Sequence, residues 1–142
     1  MIHRNSRPDD LAYGKYNGLG GKVEPTEDIA QSMRRELLEE SNLTVDEMKL
    51  RGTISWPGFG KQGEDWLAYI FLVTRWSGEL LTANHEGTLE WIPKSRVLAF
   101  DLNLWGGDHY FLPLVFDDDP RPFHGVMPYS NGHAVSWDFT RL

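Results

Sequence analysis

The spacing of apolar side chains predicts two helices. Over residues 27–41 the apolar positions recur at i, i+4 and i+8, so that they line one stripe of a helix. These positions are Ile29, Ala30, Met33, Leu37 and Leu38. A weaker pattern predicts a second helix over residues 107–116, although Pro113 removes one of its backbone donors. Of the two, the first helix is predicted more strongly.

Segments rich in β-branched and aromatic side chains predict strands in the middle of the chain, at residues 50–56, 66–76 and 89–92. Near the C-terminus, apolar segments flank Asn131 and Gly132, a pair suited to the positive φ angles of a tight hairpin. Helices and strands mix without strict alternation, which is typical of α/β or α+β layers. No repeat or long linker interrupts the pattern, so we expect a single domain over residues 1–142.

Composition narrows the classes of partner. The 142 residues are 40% hydrophobic, enough to bury a core, and 21 acidic against 14 basic side chains give a formal net charge of −7. That balance argues against binding duplex nucleic acid or an anionic membrane. The chain has no cysteine, which excludes thiolate chemistry, and its apolar run at residues 70–73 is far too short to span a bilayer. We therefore expect a cytoplasmic protein.

Three glutamates lie within one turn of the first predicted helix. Glu36, Glu39 and Glu40 stand at i, i+3 and i+4, so their carboxylates share one face. Like charges at this spacing destabilise an isolated helix by about a few tenths of a kcal/mol per pair, which a cation would relieve. Magnesium prefers oxygen ligands from a few carboxylates and bridges to phosphate oxygens. The cluster indicates a magnesium site, and a solvated acidic helix face is the alternative.

The glutamates belong to a longer pattern, G-x5-E-x7-R-E-U-x-E-E-x-G-U, in which U is a bulky aliphatic residue. The chain matches it at Gly21, Glu27, Arg35, Glu36, Leu37, Glu39, Glu40 and Leu43. The one departure is Asn42 in place of glycine, and asparagine tolerates the left-handed conformation that ends a helix. This pattern resembles the box of the Nudix hydrolases.

The resemblance implies a fold of the α/β class, namely an α/β/α sandwich around a mixed β-sheet in which the box forms a loop, a helix and a loop. In relatives a long central strand precedes the segment that matches Ile2 to Arg4, so that strand is expected to be missing or short here. A missing strand leaves backbone edges that another chain could pair with, which would make the protein a homodimer.

The resemblance also implies a set of functional residues. The carboxylates of Glu36, Glu39 and Glu40, with the backbone carbonyl of Gly20, would bind Mg²⁺, for which Mn²⁺ could substitute. Arg35 would brace a box carboxylate through its guanidinium group. A water molecule would then attack phosphorus, and the carboxylate that accepts its proton would be either Glu39, in the box, or Glu86, on a loop beyond it.

Beyond the box, the resemblance is closest to the MutT-like oxidised-purine nucleoside triphosphatases, which act on 8-oxo-dGTP. The matching stretches are residues 16–24, 43–46, 105–114 and 123–125. It implies a small-molecule nucleotide substrate, cleaved to the monophosphate and pyrophosphate. Asn17, Trp105 and Asp108 would contact its base, by hydrogen bonding and stacking, and Lys22 and Arg4 its phosphates.

Two other substrates and one other class of protein stay open. The eukaryotic relatives carry two adjacent aspartates where this chain has Gly107 and Asp108, so one of the acids that read the oxidised base is missing. Pro57 matches a proline of ADP-ribose pyrophosphatases, which keeps ADP-ribose or a sugar nucleotide as an alternative substrate. The alternative of another class is a nucleotide-binding module that has lost turnover.

Overall fold

The computed structural model describes all residues from Met1 to Leu142, and they form two compact units. Unit 1 consists of Met1–Glu47 and Val73–Trp105, and unit 2 of Met48–Leu72 and Gly106–Leu142. Whether the chain behaves as the expected single domain stays a prediction.

The structure contains three helices, α1 (Ile29–Ser41), α2 (Lys94–Leu98) and α3 (Asp108–Phe116). Its strands are, in chain order, β1 (Ile2–His3), β2 (Tyr16–Asn17), β3 (Thr44–Trp56), β4 (Trp66–Ser77), β5 (Thr88–Leu89), β6 (Phe123–Val126), β7 (Tyr129–Ser130), β8 (His133–Ala134) and β9 (Asp138–Arg141). No helix is both long enough and apolar enough to span a lipid bilayer.

Both predicted helices are confirmed as α1 and α3. Helix α1 begins two residues later than expected because Asp28 is its N-cap. The Asp28 carboxylate accepts from the backbone N–H groups of Ala30 and Gln31, at 2.8 and 2.9 Å, and the Gln31 side chain accepts from the N–H of Asp28. This reciprocal pair satisfies donors that a helix start leaves open.

The end of α1 is confirmed at Asn42. Its backbone is left-handed, with φ 63° and ψ 17°, and its N–H donates to the carbonyl of Leu38 at 2.9 Å. The side-chain amide of Asn42 also donates to the carbonyl of Glu79 at 3.1 Å. Asparagine therefore replaces the expected glycine without losing the helix end.

A mixed four-stranded sheet has the order β4-β3-β6-β9. Strand β6 pairs parallel with β3 and antiparallel with β9, which confirms the mixed sheet of an α/β fold. The close approach of β3 to β6 depends on Gly52, since a Cβ there would lie 2.5 Å from the carbonyl oxygen of Phe123. Strand β3 is longer than predicted because it starts at Thr44, before the apolar alternation becomes regular.

The second sheet, in unit 1, is small and has the order β2-β1-β5. Strand β1 covers only two residues, Ile2 and His3, and it lies within the segment that the missing or short strand was expected to precede. Its backbone is paired on both sides, with β2 and with β5. The edges that another chain could extend are therefore those of β2 and β5, and the homodimer stays a prediction.

The core of unit 2 is formed by Ile54, Phe111, Val115, Phe123 and Met127. Its buried cation is Arg51, whose side chain donates to the carbonyl of Val115 at 2.9 Å and to the Asp117 carboxylate at 2.9 Å. A cation at the C-terminal end of α3 meets carbonyl groups that the helix leaves unpaired. The predicted hairpin turn is confirmed, with φ of 51° at Asn131 and 76° at Gly132.

Candidate functional site

The three glutamates of α1 differ in their exposure. The side chain of Glu36 is 17% exposed and that of Glu39 is 59% exposed, while Glu40 is half-buried. Helical spacing places them on one face, as the sequence predicts, but each carboxylate has its own partners. The exposure of the carboxylates therefore decreases from Glu39, which faces solvent, toward the interior of unit 1.

Arg35 holds most of this cluster together. Its Nε and Nη2 donate to the two oxygens of Glu27 at 3.0 and 2.6 Å, and its Nη1 donates to Glu36 at 2.8 Å and to Glu39 at 3.2 Å. Bonding to Glu27 and then to Glu36 raises the pKa of Arg35, and the guanidinium group lowers the pKa of Glu27 to about 2. The predicted pairing of Arg35 with Glu27 and Glu36 is thus observed, and it extends to Glu39.

The Gly20-Gly21 pair lets the loop before α1 lie directly against the glutamates. The N–H of Gly20 donates to Oε2 of Glu40 at 2.8 Å. A Cβ on Gly21 would lie 2.4 Å from the carboxylate of Glu36, so a side chain there would displace that carboxylate. The resemblance to the Nudix box implies that the Gly20 carbonyl binds the metal. The bond observed uses the N–H of Gly20, and the role of the carbonyl stays a prediction.

Glu40 is the carboxylate whose environment differs most from water. Burial raises its pKa to about 7, the bond from Gly20 opposes this, and the charges of Glu86 and Glu36 add to the rise. A cation bound among these carboxylates would reverse the balance, because it would favour the ionised form.

The metal-free protein is expected to lose stability as the pH rises toward neutrality. The unfolded chain releases the Glu40 proton near its ordinary pKa of 4.5, whereas the folded protein keeps it until about 7. Between these values the folded state binds more protons, so the free energy of unfolding falls with pH. Thermal melts in chelator across this range should show that slope, and Glu40→Gln should reduce it. Equal slopes in both proteins would contradict the assignment.

A loop after β4 brings Glu86 to the same place. The side-chain oxygen of Asn84 accepts from the N–H of Glu86 at 2.9 Å, and its amide donates to the carbonyl of Glu40 at 3.0 Å. Gly87 is packed so closely that a Cβ would lie 1.9 Å from the carbonyl of His3. Glu86 is therefore fixed beside the acidic end of α1, which agrees with its predicted place near the box.

Arg4 pairs with acidic side chains. Its Nη1 donates to Glu86 at 2.9 Å, and its Nε donates to Asp10 at 2.9 Å. A backbone N–H bond from Ala12 and the bond from Arg4 lower the pKa of Asp10. Sequence reasoning missed Asp10 and Asn84, because both act through contacts that no local spacing indicates. The predicted contact of Arg4 with phosphate stays a prediction.

The donor set fits a hard divalent cation in its chemistry. Carboxylates of Glu36, Glu39, Glu40 and Glu86 cluster around one helix end, and oxygen ligands of this kind suit Mg²⁺ or Mn²⁺. They are not arranged as a closed ligand set: no group of three or more acidic, histidine or cysteine side chains is poised around one point. The carboxylates of Glu36 and Glu39 do not converge with the others because both accept hydrogen bonds from Arg35.

Two of the predicted base contacts lie together in unit 1. The indole N–H of Trp105 donates to the side-chain oxygen of Asn17 at 3.0 Å, and Nζ of Lys15 lies 5.3 Å from the centre of the Trp105 ring. Lys22 is exposed, and its backbone carbonyl accepts from Arg35. Asp108 is the first residue of α3, in unit 2.

Known proteins resemble this chain over most of its length. The model of the NUDIX domain family matches residues 1–115. Oxidized purine nucleoside triphosphate hydrolases of Danio rerio and Mus musculus are 37% and 36% identical over 122 residues, which cover 86% of this chain and 74% of each relative. A crystal structure of the MutT protein from Bacillus halodurans superposes with a TM-score of 0.80 at 29% identity, covering 97% of this chain and 86% of that one.

Proposed function

The chain belongs to the Nudix hydrolase family, and from this premise we propose that it is a divalent-metal-dependent pyrophosphohydrolase that cleaves a nucleoside triphosphate to the monophosphate and pyrophosphate. The observation that carries the proposal is the Arg35 fork, which holds Glu27, Glu36 and Glu39 beside the half-buried Glu40. Clustered carboxylates can bind a divalent cation, and such a cation promotes cleavage of a phosphoanhydride.

Oxidised purine nucleotides are the proposed substrate class. Two relatives that are 37% and 36% identical to this chain over 122 residues are named for that activity. The joined side chains of Asn17 and Trp105 support it, because they offer an amide edge for hydrogen bonds and an aromatic face for stacking. Asp108 is proposed as a further contact to the base, and Lys22 and Arg4 as contacts to phosphate.

Mg²⁺ is the proposed cofactor, with Mn²⁺ as a substitute, held by Glu36, Glu39, Glu40 and the carbonyl of Gly20. When bound, a divalent cation polarises phosphoryl oxygens and lowers the pKa of a coordinated water. The side chains of the site then have separate tasks. Arg35 orients two of the carboxylates, and the N–H of Gly20 orients the third, Glu40.

Proton acceptance falls to Glu39 or Glu86, and their different surroundings make them separable. Glu39 is 59% exposed and bonds to Arg35, whereas Glu86 is 20% exposed and bonds to Arg4. If Glu86 takes the proton, Glu86→Gln is expected to lower kcat by about a hundredfold with little change in metal affinity. Glu39→Gln, in contrast, would then lower the affinity for the metal. Steady-state kinetics over a magnesium titration measures both, and an unchanged kcat in Glu86→Gln would assign the proton to Glu39.

The proposed function is tested with a nucleotide panel in magnesium or manganese. The panel compares 8-oxo-dGTP, dGTP, the other triphosphates, ADP-ribose and a sugar nucleotide, with products separated by chromatography. We expect monophosphate and pyrophosphate from a triphosphate, with an oxidised purine preferred. Turnover of ADP-ribose alone would overturn the proposed substrate, and absence of metal-dependent release from every compound would overturn the proposed activity. The homodimer and the cytoplasmic location stay predictions.

A further inference from the structure

Asp10 is a shielded acid in an exposed loop between β1 and β2. Residues 5–9, which precede it, are all exposed, whereas only 17% of the Asp10 side chain is exposed. Its Oδ1 accepts from the backbone N–H of Ala12 at 3.0 Å, and its own N–H donates to the carbonyl of Arg7 at 3.0 Å. These short turns fix the backbone around Asp10, and they leave its other carboxylate oxygen for a second partner.

That second partner is Arg4, the residue at which the loop begins. The backbone of Arg4 is paired on both sides, because its N–H donates to the carbonyl of Lys15 at 2.9 Å and its carbonyl accepts from the N–H of Gly14 at 2.7 Å. Nε of Arg4 donates to Oδ2 of Asp10 at 2.9 Å, and Nη2 bonds to the same oxygen. With the main chain and one edge of the guanidinium group held, Asp10 sets the orientation of the guanidinium plane.

The oriented guanidinium group reaches Glu86. Nη1 of Arg4 donates to Oε2 of Glu86 at 2.9 Å, and the two side chains are only 18% and 20% exposed. Asn84 also holds Glu86, but it accepts from the backbone N–H and does not restrain the carboxylate. Arg4 is therefore the contact that sets the direction of the Glu86 carboxylate.

Glu86 needs this restraint because a like charge lies nearby. The charge of Glu86 contributes to the raised pKa of Glu40, so the two carboxylates are close enough to repel each other. Repulsion favours rotation of the Glu86 side chain away from α1, and the cation of Arg4 opposes that rotation. Asp10, Arg4, Glu86 and Glu40 all belong to unit 1.

We propose that Asp10 is a positioning residue, which acts on the reaction by fixing Arg4 so that Arg4 orients the Glu86 carboxylate. The inference rests on the proposed function, and it takes Glu86 rather than Glu39 as the proton acceptor. Asp10 touches neither the nucleotide nor the metal, because its effect passes through Arg4 to Glu86. An arginine has more N–H donors than these bonds use, so Arg4 can still contact phosphate.

Asp10→Asn tests the proposal, because it keeps an oxygen that can accept from Ala12 but removes the charge that holds Arg4. At saturating magnesium and nucleotide, kcat is expected to fall about tenfold, as when an orienting group is lost. In a Glu86→Gln background the same change should lower kcat by less than about twofold, since Glu86 carries the effect. Equal losses in the two backgrounds, or no loss in either, would overturn the proposal. Asp9→Asn changes the exposed neighbour and, as the control, should keep wild-type kinetics.

Asp10→Glu separates the contact with Arg4 from the local turn. Glutamate keeps the charge, but its longer side chain does not fit the turn that Asp10 makes with Ala12. If Asp10 acts through Arg4, Asp10→Glu should retain a higher kcat than Asp10→Asn. If Asp10 only stabilised its loop, the order would be reversed, because asparagine keeps the turn. The reversed order would therefore count against the proposal.

A ¹H–¹⁵N spectrum tests the geometry without metal or nucleotide. The Nε–H signal of Arg4 is identified by its absence in Arg4→Lys. In the wild-type protein with chelator this proton should exchange slowly with water, because Asp10 accepts its hydrogen bond. Asp10→Asn is expected to speed the exchange about tenfold, and an unchanged rate would overturn this inference alone. Absence of metal-dependent hydrolysis in the nucleotide panel would instead overturn the proposed function.

Discussion

Glu40→Gln is expected to lower kcat/KM by about a thousandfold. The substitution keeps the shape of the side chain and an oxygen that can still accept from the N–H of Gly20, but it removes one negative charge from the proposed metal ligands. A metal ion contributes several kcal/mol of transition-state stabilisation, and each 1.36 kcal/mol corresponds to a factor of ten. The loss of charge should lower the affinity of the site for the cation and should let the cation shift from its catalytic position.

The experiment combines steady-state kinetics with calorimetric titration of Mn²⁺. Glu47→Gln is a matched control, because Glu47 is an exposed glutamate whose only ion pair is with Arg75, at 3.5 Å. The control should keep wild-type kinetics. If Glu40→Gln retained wild-type kcat/KM and metal affinity, Glu40 would not be a ligand and the acidic face of α1 would be simply solvated.

Arg35→Lys is expected to lower kcat/KM by about ten- to a hundredfold although it keeps the positive charge. A lysine cannot reproduce the planar fork that reaches Glu27, Glu36 and Glu39 at once. Loss of a group that orients metal ligands commonly costs this factor in affinity or activity. Arg35→Ala should cost more, because three carboxylates then lose their counter-charge, and its melting temperature should fall further.

Kinetics over a magnesium titration distinguishes orientation from simple charge. If Arg35 acts by orienting ligands, high magnesium should restore part of the activity of Arg35→Lys. Arg96→Lys is the control, since Arg96 lies on the surface and pairs with Asp101 at 3.4 Å. An Arg35→Lys enzyme with wild-type activity would show that charge alone is needed.

Local spacing was enough to predict the parts of the fold that depend on near neighbours. The stripe of α1, its left-handed end at Asn42 and the turn at Asn131 and Gly132 are all set within a few residues. Helix α2 was missed because five residues, 94–98, are too few to show a helical period. Strand β5 is shorter than predicted because only Thr88 and Leu89 pair with β1.

In the candidate site, too, the contacts between residues near in sequence were predictable and the contacts between distant residues were not. Each bond that Arg35 makes spans at most thirteen positions, so one motif contains them all. The bond between Arg4 and Glu86 spans 82 positions, and no periodicity in the sequence indicates it.

The Arg35 fork has a consequence for the genetics of this protein. Because one guanidinium group serves Glu27 and Glu36 together, the energetic effects of changing them are coupled and should not add in a double mutant. Combinatorial libraries that vary these positions independently would contain mostly inactive members. Variation that the protein tolerates is then expected to accumulate away from the fork, at sites whose effects are independent of one another.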